Sequence, residues 1–251
     1  MPLDPAPVSR SHRSAGIQQG IIISKDITKV GGRSDIASFV SKARAIRTIS
    51  QRQARLLFAL DATASREASW SAARRLHREL YDAAADTTGI AIQLCYYRGF
   101  DQFTASNWLT TGDELRAHMD AVSCLGGSTQ IGRLLSHYLE AGTAATPVRG
   151  LVFIGDAVEE SPDLLLQLAG QCRLKRQPVF AFQEGSDPHA GKILAEIARV
   201  SGGAYAAFDG QSADLLRSLL GAVARYASGG RKALTRSNTE GDKLLLAQLA
   251  D

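Results

Sequence analysis

The sequence predicts an α/β fold of the Rossmann-like, doubly wound type: a mostly parallel sheet with one antiparallel edge strand and helices on both faces. Three observations carry this. Short, continuous apolar runs recur between segments of helical period, which is how strands covered on both faces read. Two of these runs lie so close together that they pair as a hairpin, supplying the antiparallel edge. The 251 residues, 45% of them hydrophobic, suffice to bury one large α/β core or two small ones.

The elements follow in order. Residues 1–34 read as irregular, and "SDIASFVSKARAIRTIS" as an amphipathic helix starting near Ser34. "LLFAL" is the first buried strand, followed by a helix over Glu67–Ala85 with Trp70, Ala73, Leu76, Leu80 and Ala84 on one face, then the strand "IAIQLCYY". "FTASNWL" is the hairpin strand, and "TTGDELRAHMDAV" a short capped helix. In "CLGGSTQIGRLLSHYLEAG" a glycine-rich loop enters a helix whose Ile131, Leu134, Leu135, Tyr138 and Leu139 face a sheet. The strand "VRGLVFIGD" and the helix "SPDLLLQLAGQCRLKRQ", with Pro162 in its first turn, come next. "PVFAF", the helix Pro188–Val200, "GAYAAF" and the helix Ser212–Tyr226 complete the body. The chain thus divides into a basic N-terminal extension (1–50), an α/β domain (51–228), and a flexible link with a short C-terminal helix (229–251).

Charge and cysteine usage narrow the function classes. Residues 1–50 carry eight basic and three acidic side chains, whereas the body is close to neutral. A basic arm before a neutral body reads as a solvated or packing extension, so nucleic acid is not the expected partner. The N-terminal apolar run is too short for a secretion signal, and no segment approaches the roughly 20 apolar residues of a membrane span. Cys95, Cys124 and Cys172 are widely spaced, with no C-x-x-C pair. A soluble cytoplasmic protein with buried thiols is expected.

In an open parallel sheet, ligands bind beyond the carboxyl ends of the strands. Three oxygen-rich loops fall there: "DATAS" with Asp61, Thr63 and Ser65, "GGSTQ" with Ser128 and Thr129, and "GDAVEE" with Asp156. A carboxylate at the lip of an apolar strand needs compensation by donors, a cation or water. Hard oxygen donors without thiol or imidazole suit Mg²⁺, with Mn²⁺ or Ca²⁺ as substitutes.

These residues resemble the motif of a von Willebrand factor A (VWA) domain with a metal-ion-dependent adhesion site, of the intracellular bacterial type. That motif is D-x-[S/T]-x-S after the first strand, a Thr in a second loop and an Asp in a third. The resemblance spans about Arg55 to Tyr226 and assigns the metal to Asp61, Thr63, Ser65, Thr129 and Asp156. It implies a metal-dependent protein-protein interaction module whose cation keeps one position for an Asp or Glu of a partner protein. An AAA+ ATPase, or other assembly machinery, is the class of partner it suggests. Two residues depart from the pattern: Ala157 stands where glycine is common, and Arg66 places a cation beside the motif, either turned away or biasing which anion binds. Glu159 and Glu160 read as a solvated helix start.

The competing class is a metal-dependent hydrolase or phosphatase with Asp61 at its active site. Rossmann-like phosphatases pair such a carboxylate with a second acid two residues on, where this chain has Thr63. Both G-x-G-x-x-G and the phosphate loop G-x-x-x-x-G-K-[S/T] are missing after the first strand, and the five histidines are scattered. The sequence therefore reads as a binding module and not an enzyme.

Overall fold

The computed structural model describes residues 53–66, 89–209 and 212–249, all within the compact unit 46–251. The expected helices from Ser34 and over Glu67–Ala85, and the basic extension 1–50, lie outside the described residues. Strands β1 (Ala54–Asp61), β2 (Ile90–Arg98), β3 (Gln102–Leu109), β4 (Val148–Gly155), β5 (Val179–Glu184) and β6 (Ala204–Phe208) form one sheet in the order β3-β2-β1-β4-β5-β6. All neighbours are parallel except β2 and β3, the antiparallel edge pair. The Rossmann-like α/β reading of the sequence is the architecture observed.

The inner strands β1, β2, β4 and β5 are largely buried on both faces, which is why they read as continuous apolar runs. Leu56, Phe58 and Leu60 of β1 enter one core, with Leu115 and Met119 of α1 (Gly112–Asp120) and Leu216, Leu220 and Val223 of α5 (Ala213–Ser237). Leu57 and Ala59 enter the other, against α2 (Ile131–Glu140), α3 (Pro162–Leu174) and α4 (Pro188–Ser201). The five α2 residues expected to face the sheet are all buried. At α1, Thr111 and Glu114 close a capping box. Cys95 and Cys172 are buried free thiols whose pKa is pushed up to about 12 by desolvation. No helix among the described residues is long and apolar enough to cross a membrane.

The C-terminal segment differs from the expected flexible link. Helix α5 continues past Tyr226 to Ser237, bending at Gly230, whose φ of 63° suits glycine. Thr239 then caps α6 (Glu240–Leu246). Leu234, Leu245 and Leu249 fold back into the core beside α5. Gly229 and Gly230 resemble a link in sequence because glycine pairs commonly end helices. Here apolar residues on both sides of the bend hold the helix in register with the core.

Candidate metal centre

Strand order reverses between β1 and β4: from β1 the chain proceeds to β2 and β3, and from β4 to β5 and β6. The carboxyl ends of these two strands flank the crevice where such sheets bind ligands. Asp61 is the last residue of β1, and Asp156 directly follows β4. A Cβ added at Gly155 would lie 3.5 Å from the Asp61 Cβ, so the two strand ends are in close contact.

Asp61 is 0% exposed. One carboxylate oxygen accepts the Thr63 backbone N–H at 2.8 Å, and the other accepts the Tyr97 hydroxyl at 3.1 Å. Burial raises its pKa above the ordinary 3.8; Thr63 hydrogen bonds oppose this, Asp156 reinforces it, and Arg66 opposes it. Beyond Asp61 the backbone turns into a short 3₁₀ segment, Ala64–Arg66. This brings the Thr63 and Ser65 hydroxyl oxygens to 3.1 Å, with Thr63 buried and Ser65 exposed at the rim. Adjacent ligands of an octahedral Mg²⁺ with bonds of ~2.1 Å stand ~3 Å apart, so this spacing fits such an ion.

The second loop is held against the first. Leu125 N–H donates to the Ala62 carbonyl at 3.0 Å, and Ser128 N–H to the Gly99 carbonyl at 3.2 Å. A Cβ at Gly127 would lie 2.0 Å from Gly99 backbone atoms, so only glycine fits there. Gln130 is buried and donates to carbonyls of the β2–β3 turn. Thr129 exchanges two bonds with the third loop: its N–H donates to a Glu159 carboxylate oxygen, and its hydroxyl accepts the Glu159 N–H, both at 3.0 Å.

Glu160 accepts the Ile131 and Gly132 N–H groups at 2.6 and 2.7 Å. It caps α2 from outside, since the helix's own N-cap, Gln130, makes no side-chain cap bond. The solvated helix start expected at Glu159 and Glu160 is thus a cross-loop clamp. Arg66 turns inward. Its guanidinium is 1% exposed, donates to the Ile154 carbonyl at 3.0 Å and pairs with Glu184 at 2.6 Å.

Asp156 Oδ1 is buried and has no hydrogen-bond partner among the described residues. A carboxylate oxygen left so is costly unless a cation or water meets it. Together with the hydroxyl pair and the all-oxygen donor set, it makes the cluster fit a hard divalent cation. No cluster of three His, Cys, Asp or Glu side chains fit to hold a metal occurs among the described residues. Any cation here therefore depends on hydroxyls as well as carboxylates. Sequence reasoning missed Tyr97 and the two-glutamate clamp, whose partners lie 28 to 36 residues away. For Tyr97 a signal existed, because it is the parallel-register partner of Asp61.

In sequence the chain matches no family model and no curated protein. In structure it is similar to BatB from Bacteroides thetaiotaomicron, at 18% identity and a TM-score of 0.55 over 71% of this chain and 98% of that one. The SpRpn10 VWA domain is similar at 11% identity and a TM-score of 0.53, over 66% of this chain and 94% of that domain. Proximal thread matrix protein 1 of the mussel byssus, with zinc in its MIDAS motif, is similar at 18% identity and a TM-score of 0.52, over 70% of this chain and 46% of that one. The fold is that of a VWA-type domain.

Proposed function

We propose that this chain is a metal-dependent protein-interaction module. Asp61, Thr63, Ser65, Thr129 and Asp156 hold a divalent cation and leave one position for an aspartate or glutamate of a partner protein. The observation that carries this reading is the buried, unpartnered Asp156 Oδ1 beside a buried Asp61 at the sheet's switch point. When bound, the cation supplies a localised positive charge that offsets the buried Asp61 and the half-buried Asp156 carboxylates and attracts a third. Mg²⁺ suits the all-oxygen set, with Mn²⁺ or Ca²⁺ as substitutes. The zinc-occupied MIDAS of the mussel protein supports a divalent ion without selecting one.

Binding without catalysis is the role this residue set favours. Rossmann-like phosphatases pair such a carboxylate with a second acid two residues on, where this chain has Thr63. The partner class we carry forward from the VWA resemblance is an AAA+ ATPase, and the compartment the cytoplasm.

Thermal melting with Mg²⁺ or Mn²⁺ tests the site. At about 100-fold excess over Kd, a ligand of the native state adds ~2.7 kcal/mol. The melting temperature should rise in the wild type, stay fixed in Asp61→Ala and rise less in Thr129→Ala. Neither a shift nor calorimetric heat at millimolar metal would refute the reading. Affinity capture with and without EDTA then identifies the partner, whose complex should need both the metal and one acidic side chain.

A further inference from the structure

The edge where the strands begin carries a second cleft, remote from the metal residues along β1 and β4. A groove of about 470 Å³ is lined by Pro147, Arg149, Arg176, Tyr226 and the Gly229–Gly230 bend. A neighbouring groove of about 440 Å³ shares Pro147, Arg149 and Arg176 and extends to Thr143 and Lys175. Among the described residues, neither is lined by an acidic side chain. The segments that build them, 141–155, 171–183 and 225–237, contain eight Lys and Arg and no Asp or Glu.

Of these eight, Arg225 pairs with Asp242 at 2.9 Å. Five arginines elsewhere in the domain also pair with carboxylates. Arg149, Arg173 and Arg176 have no ion-pair partner among the described residues. Burial raises the Tyr226 pKa, while Arg231, Arg173 and Arg149 pull it down, which places all three within electrostatic reach of its hydroxyl.

Arg176 adds an independent observation. It occupies the position after the α3 C-cap with φ of 56°, where glycine is the usual residue. A non-glycine side chain there costs about 1 kcal/mol. The fold thus keeps a guanidinium in the cleft at the expense of backbone strain, a pattern that points to function.

We propose that this cleft binds an extended acidic segment of a protein partner, independently of the metal site. Two contiguous grooves make a channel suited to an extended chain. Arginine forks match carboxylates in bidentate geometry. A single-stranded nucleic acid fits less well, because bases need aromatic faces to stack on. Tyr226 is the only aromatic lining residue among the described residues, and its ring meets Phe180 edge-on at 5.3 Å.

The test is fluorescence anisotropy of a labelled decaglutamate peptide with the full chain, in EDTA and about 0.1 M salt. Saturable binding is expected, weakened at least tenfold in the Arg149→Gln/Arg176→Gly double variant and unchanged in Asp61→Ala. Arg176→Gly relieves the left-handed strain, so the double variant should melt no lower than the wild type and its loss of binding is not unfolding. The control pair Arg199→Gln/Arg217→Gln removes equal charge elsewhere and should bind as the wild type does. No saturable binding, an equal loss in the control pair, or tighter binding of oligothymidylate of matched charge would overturn the proposal. Because EDTA is present throughout, none of these outcomes bears on the metal site.

Discussion

At the scale of single residues, the strongest physical statement concerns Asp61. Its carboxyl is held above 3.8, chiefly by burial, so in the metal-free protein the native state disfavours the ionised form. The sign follows directly. With the folded pKa above the unfolded one, the native state retains its proton longer, and this contribution to stability is full below pH 3.8 and is lost as pH rises through the folded pKa. Asp61→Asn removes the charge while keeping an acceptor for Thr63 N–H and a partner for the Tyr97 hydroxyl. In EDTA, Asp61→Asn should therefore melt above the wild type at pH 7, with the gap narrowing toward pH 4, and should no longer respond to metal. If it melts below the wild type in EDTA at pH 7, the protein donors alone compensate Asp61 and no cation is called for. Asp61 was visible in sequence as an acid closing an apolar run. Tyr97 is found only by aligning β1 with β2, and Arg66 was visible as a cation beside the motif but not as the inward-turned partner of Glu184.

Among elements, loop 2 and loop 3 behave as one piece. Helix α2 begins without a side-chain cap of its own, and Glu160 supplies both the acceptor and the negative charge its first turn needs. Removing it in Glu160→Ala leaves the Ile131 and Gly132 N–H groups without their acceptor. A loss of about 1–2 kcal/mol follows from the usual worth of a cap and a charge at a helix start. The loop that carries Thr129 is then less fixed, so metal affinity should fall as well, roughly tenfold by calorimetry. Glu196→Ala removes an exposed i,i+3 pair and should change neither. An unchanged metal affinity in Glu160→Ala would show that the clamp stabilises the helix without organising the site. Strands and helices were legible here because each is built from local period. The clamp was not, since Glu159 and Glu160 followed by Ser-Pro also describe an ordinary solvated helix start.

For the molecule as a whole, the question is where the domain ends. Patterning placed the end near Tyr226, because the last strong helical stripe stops there and a glycine pair follows. Burial places it later. Leu234 is 0% exposed, Leu245 1% and Leu249 6%, all in the core that also holds Leu56, Phe58 and Leu60 of β1. Asp242 is fully buried and ties α6 to α5 through Arg225 at 2.9 Å, and Gln248 bonds the Tyr205 backbone of β6. Each buried leucine is worth about 1.5–3 kcal/mol relative to exposure, offset in part by the entropy of ordering the tail. Truncation after Ser228 also leaves Arg225 without its carboxylate. The truncated chain should lose several kcal/mol, and Leu245→Ala alone about 2–5 kcal/mol. A flexible link predicts no change in either case, so chemical denaturation separates the two readings. Because the tail packs on α5 and β6, away from Asp61 and Asp156, a folded remnant should still melt higher in Mg²⁺. If truncation removes the metal response while circular dichroism shows the sheet intact, the tail supports the metal site as well as the core.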